Sequence, residues 1–389
     1  MRQRLNLTKV PIELKLIISL VKCETPDQVE NIDLSLFYGV NWDFFIKQAR
    51  HHRIYPVLYK KLQWCSSELV PEHVVQTVAA DYKRNTFQML HLSNVMGQLS
   101  KLFSAKRLQI LFLKGPQLAL DLYGDLSLRT SNDLDVLVPI NQLPEAEKLL
   151  LDLGYQKDDY IETILNDWKW RHHHVTYIHP VTGVKVEVHW RLNPGPGKEP
   201  GFLELWARKR NMNLSKHPIH VLGKEDLFVF LSSHGARHGW SRLRWIVDIH
   251  QLMKMDLDWE EAYKLLNKYG NKHTGFQALQ LAEQLFHTSS KALPKQKTNK
   301  SRKLAQQAVY YLESMINLHS EPLDPEVAKY HKRHLFGLMT FQQRVYFILS
   351  FLYPYPQDAQ TLPLPKSLHF LYFPLRPFIW GWRKTRRLV

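Results

Sequence analysis

Apolar and polar positions along the 389-residue chain fall into three textures. In "NWDFFIKQARHHRIYPVLYKKLQ", from Asn41, apolar side chains recur at helical spacing, and Pro56 is expected to end the run. Residues 72–103 carry the same period with no proline, so a long amphipathic helix is expected. Near residue 107 the period shortens. "LQILFL" at 108–113 reads as a buried strand, "KGP" as a turn and "PQLALDLYG" as a short helix that Gly124 ends. "LDVLV" at 134–138 is a second buried strand. "NQLPEAEKLLLDLGY" follows as a helix, with Asn141 as N-cap and Gly154 as stop. "HHHVTYIHPVTGVKVEVHW" alternates on both sides of "PVTG" and predicts a β-hairpin.

After the Pro/Gly loop at 193–201 the helical period returns, clearest in "KEDLFVFLSSHGARHGWSRLRWIVDIHQLMK" and "TGFQALQLAEQLF". A polar, basic break covers 289–303, and the last thirty or so residues mix proline with large aromatics in no assignable period. The expected fold class is α+β: a small mixed-sheet core at 105–205 between an N-terminal helical region at 1–104 and a C-terminal helical region at 206–389 with a basic aromatic tail.

Composition adds three constraints. With 44% hydrophobic residues the chain can bury a sizeable core and is not disordered. Cys23 and Cys65 are too few to staple a chain of this length, which favours a reducing, cytoplasmic setting. The basic start is interrupted by Glu13 and Lys15, unlike a signal peptide, and the most apolar run, "VYFILSFLY" at 345–353, is too short to span a bilayer. The 52 Lys and Arg against 36 Asp and Glu give a net charge of +16, which favours polyanionic partners: nucleotide phosphates, nucleic acid or an anionic membrane surface. The tail interleaves aromatics and cations and suits peripheral membrane contact or nucleic acid, or packing on the protein body.

Within "SNDLDVLVP", Asp133 and Asp135 are two apart on a strand and so share a face. Two adjacent carboxylates repel unless a cation joins them, and Mg²⁺ is commonly held by one or two carboxylates plus substrate phosphates. In "VKVEVHW", Glu187 and His189 lie on the face opposite Val184, Val186 and Val188. If that strand neighbours 133–138, Glu187 joins the Asp pair.

These residues resemble a known family. "LKGPQLALDLYGDLSLRTSNDLDVLV" followed by "VEVHWRL" is similar to the nucleotidyltransferase superfamily with the DNA polymerase β-type catalytic core. More narrowly, it resembles the uncharacterised nucleotidyltransferase family with an LKG…R…D-x-D…HW signature. "HHRIYPVLYKKL", "SSHGARHGWSRLRWIVDI" and the "LPLP…LYFPLRP" tail extend the likeness over most of the chain. The resemblance implies Asp133, Asp135 and Glu187 as catalytic metal ligands, with Glu187 also a candidate general base. It implies Mg²⁺ or Mn²⁺ as cofactor and an NTP as donor. Gly115 matches the glycine of the strand-to-helix turn that triphosphate approaches. Pro116 and the longer gap from Gly115 to Asp133 depart from the superfamily pattern, so Lys114 and Arg129 are expected to supply charge. His189, His234 and His238 complete the expected nucleotide-binding set. The acceptor stays open: a peptide or protein hydroxyl, as in lasso-peptide-like maturation, a sugar, another small molecule, or RNA. The reading from another class is a non-catalytic nucleic-acid-binding protein that keeps the fold.

Overall fold

The computed structural model describes residues 4–214, 217–288, 299–318, 320 and 322–386. Residues 289–298 of the basic break and the last three tail residues lie outside them. The N-terminal region is helical, as expected, and its principal element is the long helix Glu72–Ala105. Pro56 does not end a helix. One helix closes at His51 and a new one, Tyr55–Leu62, opens with Pro56 in its first turn, where a missing N–H costs nothing.

Seven strands follow: β1 Leu111–Lys114, β2 Asp133–Leu137, β3 Gln156–Asp158, β4 His174–Ile178, β5 Lys185–His189, β6 Arg210–Met212 and β7 Ile219–Val221. They form one mixed sheet in the order β3-β4-β5-β2-β1-β7-β6. The sheet therefore runs past residue 205, where helix alone was expected, because β7 pairs in parallel with β1 and brings β6 with it. The fold is α+β.

Alternation divides the sheet chemically. Phe112, Leu134, Val136, Val186 and Val188 point to one side, where Leu92, Met96, Leu99 and Phe103 of the long helix and Ala146, Leu149 and Leu150 of helix Leu143–Asp152 cover them. Asp135, Glu187 and His189 point to the other side. Asn141 does not cap helix Leu143–Asp152. It lies in a short 3-10 turn at 140–142, and the cap position is Gln142.

The stretch expected as one long helix after residue 224 is two, Lys224–Arg237 and Leu243–Leu252. Gly239 and Trp240 both take positive φ and break it. Trp240 then packs on Gly235, where any Cβ would overlap the indole. Residues 299–303, assigned from sequence to the polar break, instead open helix Asn299–Glu313, with Ser301 and Leu304 buried. The last thirty or so residues, unassignable by period, hold helix Tyr372–Arg386, and helices Phe341–Ser350 and Pro356–Thr361 precede it.

A buried polar chain ties this helical region together. Trp240 Nε1 donates to Gln277 Oε1 at 2.8 Å, and Gln277 Nε2 donates to the Leu304 carbonyl at 2.7 Å and to His334 Nε2 at 2.8 Å. His334 Nε2 is thus an acceptor, so Nδ1 carries the proton and faces the Tyr311 hydroxyl at 3.1 Å. A second proton on His334 would meet the Gln277 N–H. Burial, followed by the charge of His331, holds His334 down to about 4.

The sign of the resulting pH dependence is fixed. Between about 4 and about 6.5 the unfolded histidine binds a proton and the folded one does not, so stability rises with pH through that window. The loss on acidification begins below about pH 6.5 and is complete for this group near its folded value, at a slope of at most about 1.4 kcal/mol per pH unit. Urea midpoints at pH 7.5, 6 and 5 are expected to fall more shallowly for His334→Gln than for the parent chain.

Candidate active site

Register builds the site. Lys114 at the end of β1 is the partner of Asp135 on β2, and Asp135 is the partner of Glu187 on the parallel strand β5. One cation and two carboxylates therefore stand in a row across three strands. His189 follows Glu187 one pleat on, opposite His174 of β4. The strand neighbourhood expected for "VKVEVHW" brings Glu187 beside Asp135, while Asp133 is the partner of Lys185.

Distances show how the row is held. Lys114 Nζ lies 3.0 Å from Asp135 Oδ1, and His189 Nε2 lies 3.1 Å from the same oxygen. His189 Nε2 is also 3.7 Å from Glu187 Oε2. Burial alone would push Asp135 up, but Lys114 and His189 outweigh it and hold the carboxyl well below the ordinary range. His189 is fully buried, which would lower it, yet its bonds to Asp135 and Glu187 raise it. Asp133 is raised, first by burial and next by the charge of Asp135. Ser131 Oγ lies 3.5 Å from Asp133 Oδ1.

Three further residues line the site. Arg237 donates to His173 Nε2 at 3.0 Å, which makes that nitrogen an acceptor. His174 Nδ1, 3.1 Å from it, is then the donor of the pair, and neutral His174 turns a bare Nε2 toward Glu187 Oε2 at 3.8 Å. Burial, then His189, holds His174 down to about 4, so it is neutral at pH 7. Two acceptors thus face each other across a gap suited to a cation or a water. From the strand pattern, the consecutive histidines 172–174 alternate faces and form no cage. His172 joins no such group, but His173 at the strand's entry and His174 on it both meet His189 from β5, the three offering ring nitrogens within 4.8 Å of one another.

The donor set fits a divalent metal ion. Asp135, Glu187 and His189 each offer a ligand atom within 4.8 Å of the others. Asp135 Oδ2 and His189 Nδ1 are buried without a hydrogen-bond partner among the described residues, and buried polar atoms are otherwise almost always satisfied. Asp133 shares the face but stands outside this group.

The remaining expected residues divide. Gly115 takes φ 135°, and a Cβ there would come within 2.9 Å of Gln117 Oε1 and 3.2 Å of Leu134 Cδ2, so the turn from β1 into helix Pro116–Tyr123 requires glycine. His234 is buried at the end of helix Lys224–Arg237, with Nδ1 3.3 Å from Arg237. His238 lies just beyond the helix rather than within it, its ring 4.7 Å from that of His234 and stacked on Trp245. Arg129 is corrected. It was expected to bind nucleotide, but it is 2% exposed, and Nε and Nη2 each lie 3.0 Å from Asp248. No face of it is left for phosphate. Asp248 accordingly pairs with Arg129 and not with Arg242 or Arg244. Arg244 instead donates to the Thr130 carbonyl and hydroxyl at 2.6 Å.

A mixed sheet flanked by helices holds this row of carboxylates beside Lys114. The chain belongs to the uncharacterised nucleotidyltransferase family, whose model matches residues 38–287. Among solved structures it is similar to an antigenic nucleotidyltransferase-like protein from Paracoccidioides brasiliensis, at 15% identity and a TM-score of 0.30, over 51% of this chain and 97% of that one. No curated protein matches.

Removing Arg129 would strand the buried Asp248 carboxylate. Arg129→Met is expected to cost about 3–5 kcal/mol of unfolding free energy, and the pair Arg129→Met with Asp248→Leu to recover most of it. Urea unfolding of the two variants checks this.

Proposed function

We propose that this chain transfers a nucleotidyl group from an NTP to an acceptor hydroxyl or phosphate. The observation that carries the reading is the register of Asp135 against Glu187, with Asp135 Oδ2 buried and without a hydrogen-bond partner among the described residues. Asp135, Glu187 and His189, joined by Asp133, would hold the divalent ion, Mg²⁺ or Mn²⁺. When bound, that ion supplies positive charge at the phosphates and makes an acceptor hydroxyl more acidic.

The chain's own residues do the rest. Glu187, the least buried acid of the row, accepts the acceptor's proton at Oε2. The acceptor oxygen bonds to the α-phosphorus, the bond to the bridging oxygen breaks, and pyrophosphate leaves. Lys114, Arg237 and His234 surround the row with donors for the triphosphate, and Gly115 lets the backbone come close to it. Burial holds Arg237 down to about 10, with Asp135 and Glu187 opposing, so it stays charged at neutral pH. Catalysis on this reading is positioning plus charge neutralisation. A peptide or small-molecule acceptor is compatible with the site, and a cytoplasmic setting with the paucity of cysteines.

A melting experiment tests the reading. A non-hydrolysable ATP analogue with Mg²⁺ or Mn²⁺ is expected to raise Tm, since a ligand at 100 times its Kd adds about 2.7 kcal/mol. Asp135→Asn and Glu187→Gln should each cancel the shift, and product from an NTP panel should gain the mass of one NMP. A shift that survives in the double variant would sink the proposal. Salt-sensitive RNA binding that survives loss of all three carboxylates would favour the non-catalytic reading instead.

A further inference from the structure

The C-terminal helices expose what the rest of the chain buries. Helix Phe341–Ser350 has no buried residue. Phe341, Val345 and Ile348 recur at i, i+4 and i+7, so its solvent face is an apolar stripe, with Phe341 83% and Ile348 57% exposed, and exposed Leu352 follows just past its end. On helix Tyr372–Arg386 the buried positions are Tyr372, Arg376 and Ile379, while Phe373, Phe378 and Trp380 are exposed. Scattered surface apolars need no explanation, but a concentration of this size marks an interaction surface.

Charge decides the partner. From Val327 to the end of the chain the single carboxylate is Asp358. It is fully buried and neutralised by Arg376 and by Arg383 at 2.9 Å. Every exposed charge over the described part of this stretch is therefore a cation, and Lys366 and Lys384 stand exposed beside the aromatics, Lys384 4.9 Å from the Trp380 ring. Exposed Phe, Trp, Ile and Leu flanked by Lys and Arg without acids are what a negatively charged, amphiphilic surface recognises. No helix of the described residues is long and apolar enough to cross a membrane, so these would lie in the interface plane.

We propose that the surface of helices Phe341–Ser350 and Tyr372–Arg386 docks on an anionic phospholipid bilayer. The segment is braced for this. Tyr372 and Ile379 pack with Ile164, and Arg376 and Arg171 both stack on Tyr355. Helix Tyr372–Arg386 is thereby fixed to the body of the protein. The inference is independent of the proposed nucleotidyl transfer.

Co-sedimentation of the full chain with phosphatidylcholine vesicles, with and without phosphatidylglycerol, tests it. Binding is expected to the anionic vesicles, to weaken with salt, and to fall about fivefold for each of Lys366→Gln and Lys384→Gln. Ile348→Glu with Phe378→Glu should abolish it while leaving Tm unchanged, since both positions are exposed. Absence of binding to anionic vesicles overturns the proposal, as does binding that the double variant retains. So does light scattering that shows a dimer of the parent chain dissolved by the double variant, or RNA binding lost in it, when vesicle binding is missing.

Discussion

The constraint on which the site depends is that Asp135, with no exposure, cannot be ionised alone. Its charge is tolerable because β1 and β5 flank β2 in one register, bringing Lys114 from one side and His189 from the other. A slip of one residue in either pairing would turn Lys114 or Glu187 to the apolar face and leave Asp135 uncompensated. The hydrophobic packing of Val136, Val186 and Val188 under the long helix and the electrostatics on the opposite face therefore specify the same register.

The loop that feeds β2 is fixed by the same logic at longer range. Arg129 and Asp248 neutralise each other out of water, and the Tyr123 hydroxyl donates to the same carboxylate at 2.8 Å. Arg244, one turn before Asp248, holds Thr130. Helix Leu243–Leu252 thus grips the two residues that lead into Ser131 and Asp133. Such a pair contributes little net stability against an apolar substitute, but it admits one geometry of the loop. The first carboxylate of the pair is positioned by a helix more than a hundred residues away in sequence.

That distance explains what the sequence could and could not disclose. The strand pair, the hairpin and the shared face of Asp133, Asp135 and Glu187 follow from a period of two, which local sequence carries in full. The KG turn and the stop at Gly124, whose φ is 70°, are backbone requirements visible as glycines. The partners of Arg129, His173 and Arg237 lie on other elements, and no local pattern names them. "HGARHG" held a signal for Arg237, since it is flanked by His234 and His238, but a helix continuous through 238 gave the wrong shape to that cluster. Strands β6 and β7 were hidden because three-residue strands carry too little alternation to stand out from a loop. No local pattern names His174 either, because its neighbour in space is His189 on β5, and only the hairpin's register brings the rings together.

The hairpin also links the site to the tail. Arg171 precedes the histidines of β4. It ion-pairs with Asp167 at 2.6 Å, stacks on Trp170 and Tyr355, and donates to the Pro354 carbonyl at 3.5 Å. Tyr353 meets the Trp170 ring edge-on and donates to the Leu165 carbonyl at 3.0 Å. The segment 164–171 is thus clamped by the tail on one side and continues directly into His173 and His174 on the other. Arg171 joins the tail to the segment that leads into the strand whose His174 faces Glu187. The aromatics that look unanchored in sequence and the carboxylates that look misplaced in a strand belong to one connected frame.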